Sequence, residues 1–150
     1  MNDAATSTGS DASIGAPNAS DTGMKGISHA VLRVGAGALF FMHGAPKLLG
    51  WFGGFGGEPG ATAELLSLYG LAGVLEVFGG LLILFGLFTR PVALVLAVEM
   101  IVAYGKAHLP RGLVPYENGG ELALLYMCVF ILLLGWGAGP FSLDAWRARR

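Results

Sequence analysis

The sequence predicts an all-α, integral membrane four-helix bundle behind a disordered N-terminal tail, on three observations. First, 54% of the 150 residues are hydrophobic and 13% are charged, against roughly 25% charged in an average soluble chain; the mean hydropathy is +0.65. Second, the apolar residues come in long blocks rather than in the one-sided stripe of a surface helix. Third, residues 1–24 are Ala, Ser, Thr, Gly, Asn and Asp with almost no large apolar side chain. Such a segment cannot bury enough surface to offset its ordering entropy. It also has neither the basic nor the apolar region of a signal peptide, so the first apolar block is expected to be retained as a span. The expected organisation is therefore a tail over 1–24 and one transmembrane domain over 25–150.

Four segments approach the length needed to cross about 30 Å of hydrocarbon. The first covers residues 27–49 and is interrupted by Arg33, His43 and Lys47, with Pro46 removing the amide that would bond the Met42 carbonyl, which predicts a bend. The second covers 69–89 and contains Glu76. Arg90 and Pro91 make a minimal turn, proline being suited to a helix start. The third covers 91–106, contains Glu99 and is short for a full crossing. The fourth covers 119–136, with Glu121 near its beginning, and the run Gly135-Trp136-Gly137-Ala138-Gly139-Pro140 ends it. Residues 141–146 are expected to lie at the interface, with Asp144 capping or anchoring this terminal segment, and a basic tail follows. The connections 51–68 and 107–118 are longer and richer in Gly, Pro and aromatic residues than the turn at Arg90, which marks their side as the elaborate face.

Lys25, Arg90, Arg147, Arg149 and Arg150 fall on one side and Lys47, Lys106 and Arg111 on the other. The excess of basic residues predicts cytoplasmic N- and C-termini, and a bacterial-type inner membrane is the expected location. A net charge of −1 without a basic stripe speaks against nucleic-acid binding. The single cysteine, Cys128, excludes an intrachain disulfide and a multi-cysteine metal site; no metal is expected.

Helical spacing brings the polar groups to shared faces. Arg33, Ala36, Gly37, Phe40, His43, Gly44 and Lys47 form one stripe of charged and small residues on the first helix. Ala72, Gly73, Glu76, Gly79 and Gly80 form another on the second. Small residues let helix backbones approach closely, which drives packing in lipid. A lone charge at these depths costs at least about 2.5 kcal/mol, so pairing is expected. At a rise of about 1.5 Å per residue, the simplest assignment joins Arg33 with Glu99 as a buried ion pair. On the same reckoning His43 or Lys47 faces Glu76 or Glu121 across an outer-leaflet pocket. His29 and His108 are expected near the interfaces.

These residues together resemble the DoxX family of small four-helix membrane proteins. The likeness lies in Arg33 followed by Gly35, the segment Phe41-Met42-His43-Gly44 to Lys47, and the Gly-rich aromatic loop. It continues in Glu76 with Gly79-Gly80, the Glu99 helix, Asn118-Gly119-Gly120-Glu121 and the ending Gly137 to Asp144. It covers about residues 27–146. The resemblance implies a quinone-linked or oxidative-stress-linked membrane protein. Some members form the membrane subunits of thiosulfate:quinone oxidoreductase, and others associate with superoxide dismutase and a sulfurtransferase.

The expected function is thus a membrane component of a quinone-linked redox system, with His43, Lys47, Glu76 and Glu121 lining a ligand pocket. A quinone is the expected ligand, and no covalently bound cofactor motif is present. The alternatives are a non-catalytic scaffold that docks redox or detoxifying enzymes, and a small-solute or proton transporter. Lipid is the expected surroundings, and assembly with enzyme partners or with further copies of the chain is compatible with these readings.

Overall fold

The computed structural model describes residues 23–150, and every regular element among them is helical. The tail expectation lies outside the described residues as far as residue 22. Its last two residues belong instead to the entry of the first helix, α1, which spans Met24–Leu49. The second helix, α2, spans Leu68–Phe85, and the third, α3, spans Thr89–Arg111. The fourth, α4, spans Glu121–Trp136, and a short helix, α5, spans Leu143–Ala148. A single helical turn, Pro115–Asn118, stands before α4.

By length and composition α2 and α3 can each cross a membrane, whereas α4 is apolar but has only 16 residues. α1 is about 39 Å long at 1.5 Å per residue, and is diluted by glycine, histidine, Arg33 and Lys47. α3 does not stop at Lys106. It continues through a π-helical turn at Tyr104–His108 and a tighter turn at Leu109–Arg111, so the shortfall expected of the third segment disappears. α1 likewise continues through Pro46 for one further turn.

α1 packs along α2, and α3 packs along α4, while the two pairs touch each other less extensively. The α1–α2 seam is made of the small residues. A methyl group on Gly37 would lie 2.5 Å from the Leu84 amide nitrogen, and one on Gly44 would lie 2.7 Å from the Glu76 Cβ. No side chain fits there, so the two backbones are in direct contact, which is how small residues contribute to packing in lipid. Gly79 and Gly80 serve different neighbours: a methyl on Gly80 would strike the Phe41 amide of α1, and one on Gly79 would strike Leu96 of α3.

The core lies where the pairs meet, among Phe40, Ile83, Leu96, Met100, Tyr126, Phe130 and Leu133. Phe40 joins α1 to α4 at the core, packing edge-on against Tyr126 and Phe130 with centroids 5.0 and 4.8 Å away. Such pairs add about 0.5–1.5 kcal/mol beyond burial.

The end of the bundle that carries the turn between α2 and α3 is tied by two charged side chains. Arg33, 2% exposed, donates to the carbonyls of Ile83 and Leu84 in the last turn of α2 and to the Phe141 carbonyl at 2.6 Å. A cation there meets the orphan carbonyls and the negative end of the helix dipole. The expected Arg33–Glu99 ion pair is therefore not formed: the guanidinium is taken by backbone carbonyls on α2 and before α5. Asp144 accepts the Phe88 and Thr89 amides, each at 2.9 Å, capping α3 from α5. His29, near the start of α1, is buried, its ring stacked on Trp136 at the end of α4.

Candidate ligand cleft between the helix pairs

The looser contact between the two helix pairs leaves a cleft of about 1010 Å³. α1 contributes Phe40, His43 and Lys47, α2 contributes Glu76, α3 contributes Glu99, Lys106 and His108, and α4 contributes Tyr126. Much of the remaining lining is aliphatic: Leu94, Val95, Val98 and Val102 of α3 with Leu68 and Leu71 of α2. These six are themselves exposed on the outside of the bundle, so the cleft opens sideways between α2 and α3. An apolar recess with a few convergent polar groups is the usual form of a small-molecule site.

Lys47 is the centre of the polar cluster. It lies one residue beyond Pro46, in the last turn of α1, and its Nζ donates to both Glu76 oxygens at 2.5 and 2.6 Å. Glu76 is 5% exposed. A carboxylate at that burial is unfavourable alone, and a close two-oxygen pairing is the arrangement that offsets its desolvation. Glu76 also sits in a π-helical turn, Leu75–Gly79. Such turns are uncommon inside helices and recur at functional sites. A second one, Tyr104–His108, carries Lys106 and His108 on the cleft's other wall. An ammonium has three N–H donors, so the pairing with Glu76 leaves Lys47 one for a ligand.

His43 lies four residues before Lys47 and thus one turn away on the same face. It is exposed towards the cleft, and its ring meets Tyr126 edge-on at 5.8 Å. Glu99 is different. Both of its carboxyl oxygens are buried, and neither has a hydrogen-bond partner, although the charges of Glu76 and Lys47 reach it.

On the connection that follows α3, Asn118 is 2% exposed and organises the loop. Its Nδ2 donates to the Gly112 carbonyl at 2.7 Å, its Oδ1 accepts the Gly120 amide at 2.8 Å, and its own carbonyl lies 3.1 Å from His108 Nδ1. Only an Nδ1–H can satisfy that carbonyl, which sets the His108 tautomer.

Of the expected pocket residues, His43, Lys47 and Glu76 come together. Glu121 does not: it is exposed in the first turn of α4 and does not line the cleft. A carboxylate at a helix N-terminus is already favoured there by the helix dipole. Glu99, expected as a structural partner of Arg33, lines the cleft instead. Tyr126 was not anticipated. Its signal was a hydroxyl among the aliphatic residues of α4, easily read as an aromatic core residue. Among the described residues no group of three or more His, Cys, Asp or Glu side chains is arranged to hold a metal.

Comparison with known proteins gives the following. The DoxX family profile matches residues 28–109. The chain is 40% identical over 121 residues to an uncharacterised protein of Haemophilus influenzae, covering 77% of this chain and 87% of that one. A second uncharacterised protein of the same organism is 36% identical over 69 residues, 46% of each chain. A Bacillus subtilis protein described as "Putative oxidoreductase CatD" is 32% identical over 123 residues, 79% of this chain and 85% of that one. No solved structure matches.

Proposed function

Because the chain belongs to the DoxX family, we propose that this membrane protein is a component of a redox system and takes a quinone into the cleft between its helix pairs. The observation that carries the reading is the Lys47–Glu76 pair at 2.5 Å, set in the wall of an apolar recess that opens towards lipid. The likeness to a protein described as an oxidoreductase supports the redox class. The inner membrane is the location in this reading, and cytoplasmic termini are supported by the basic residues Lys25, Arg90, Arg147, Arg149 and Arg150 through the positive-inside rule.

The residues present fit a quinone on two counts. The lining is apolar enough for a ring and a prenyl tail, and Glu99 has two buried oxygens without partners. When bound, a quinone supplies reversible electron and proton chemistry at its ring oxygens. The chain's own groups bind and orient. Lys47 offers its remaining N–H and His43 a ring N–H, so both are donors for a ring oxygen. Glu76 holds the ammonium in place through its two contacts. Tyr126 fixes the His43 ring from the side, and the aliphatic residues of α2 and α3 keep water from the recess while admitting a molecule dissolved in the bilayer.

The test is equilibrium binding of a short-tailed quinone to the purified chain in detergent. His43→Ala and Glu76→Gln each weaken binding about tenfold or more, the value of one hydrogen bond to a charged group, while both variants still insert and elute as the parent does. Unchanged affinity in both variants contradicts the reading.

A further inference from the structure

The polar cluster of the cleft holds two carboxyl groups and one paired ammonium. Lys47 gives two N–H groups to Glu76. Glu99 lies within the electrostatic reach of both, yet neither of its oxygens accepts a hydrogen bond, and both are buried. The other groups on the cleft wall do not supply a counter-charge to it. His43 and Tyr126 pack on each other, and His108 is bonded to the Asn118 carbonyl. Lys106 lies seven residues further along α3, about 10 Å along its axis. A buried anion with no donor and no cation of its own is among the least favourable arrangements in an apolar medium. A neutral carboxyl group removes that cost, and rotation about its side-chain bonds turns its O–H donor into the cleft that the residue already lines.

We propose that Glu99 is the proton-carrying carboxyl of the cleft, a neutral acid whose O–H donates to a carbonyl oxygen of the bound molecule while the Lys47–Glu76 pair stays ionised. A ring with two carbonyl oxygens is then held by donors on two walls: Lys47 and His43 of α1 on one, Glu99 of α3 on the other. Glu76 is a positioning residue for Lys47. The ligand's identity rests on the quinone reading; the state of Glu99 does not.

The experiment uses dicyclohexylcarbodiimide, an apolar reagent that adds to protonated carboxyl groups, on membranes containing the full chain. The modified residue is identified by peptide mass spectrometry, with and without a short-tailed benzoquinone. The expected result is a label on Glu99, none on Glu76, no label in Glu99→Gln, and less label when the benzoquinone is present. A label on Glu99 that no benzoquinone concentration reduces removes the quinone reading and leaves the proton-carrying role intact. Absence of label on Glu99, or equal label on Glu76, overturns the proposal. Infrared spectroscopy gives a readout independent of reagent access: the purified chain shows the carbonyl band of a neutral carboxylic acid, and Glu99→Gln loses it. A spectrum unchanged by the substitution also overturns the proposal.

Discussion

At the scale of single residues, the charges inside this bundle divide into those that hold the backbone and those that face the cleft. Arg33 is of the first kind, since its guanidinium serves three backbone carbonyls. Replacing it with methionine leaves those carbonyls unpaired and lowers stability in detergent by about 3 kcal/mol, judged from hydrogen bonds to charged groups. Exchanging the charges of Arg33 and Glu99 in a double variant restores none of that loss, because the two side chains do not meet; recovery of the thermal midpoint in the exchange would contradict the assignment. The stripes of Gly, Ala and charge on α1 and α2 were legible because side chains three and four apart must share a face. The Lys47–Glu76 pair was legible as opposite charges at similar depth. The partner of Arg33 was not, because a carbonyl acceptor leaves no mark in the residue names. Charge complementarity joins Arg33 to Glu99 in the sequence for the same reason, whereas the guanidinium takes carbonyls.

At the scale of elements, the short helix α5 holds the turn between α2 and α3. Asp144 accepts both amides at the start of α3, where the positive end of the helix dipole favours an anion. Partial burial pushes its carboxyl up. The Thr89 and Phe88 amides, with Arg147 nearby, outweigh this and hold it below the usual carboxylate range. A depressed folded value means that Asp144 stabilises fully above the unfolded value of about 3.9. The contribution is lost as pH falls from there through the folded value. Asp144→Ala costs about 1 kcal/mol at neutral pH, as for other lost N-caps, and removes that part of the acid dependence; thermal melts of parent and variant from neutral to acid pH check both. An equal gap between the melts at every pH would contradict it. Existence and order of the four long helices were legible in the apolar blocks, as was an anchoring role for Asp144. The π-helical turns at Leu75–Gly79 and Tyr104–His108 were not. An extra residue in a turn changes no composition. The same kind of irregularity carries α3 beyond Lys106.

At the scale of the molecule, two closely seamed pairs, α1 with α2 and α3 with α4, meet along a core centred on Phe40 and part around Lys47, Glu76 and Glu99. Depth and helical phase predicted an outer pocket with His43, Lys47 and Glu76 in it. The lateral opening between α2 and α3 depended on how the pairs splay, which pairwise spacing within one helix does not describe. Depth and a shared helix face point Glu121 into that pocket, but it is exposed in the first turn of α4, outside the cleft. The central claim is that a lipid-dissolved quinone occupies this cleft. The most direct measurement is cross-linking of the full chain in membranes with a photoreactive quinone, mapped by peptide mass spectrometry with and without excess unmodified quinone. The account predicts adducts on the cleft walls, around residues 40–47, 68–76 and 94–108, that vanish under competition. Adducts confined to the lipid-facing side chains of α4, or adducts that competition leaves unchanged, would contradict it.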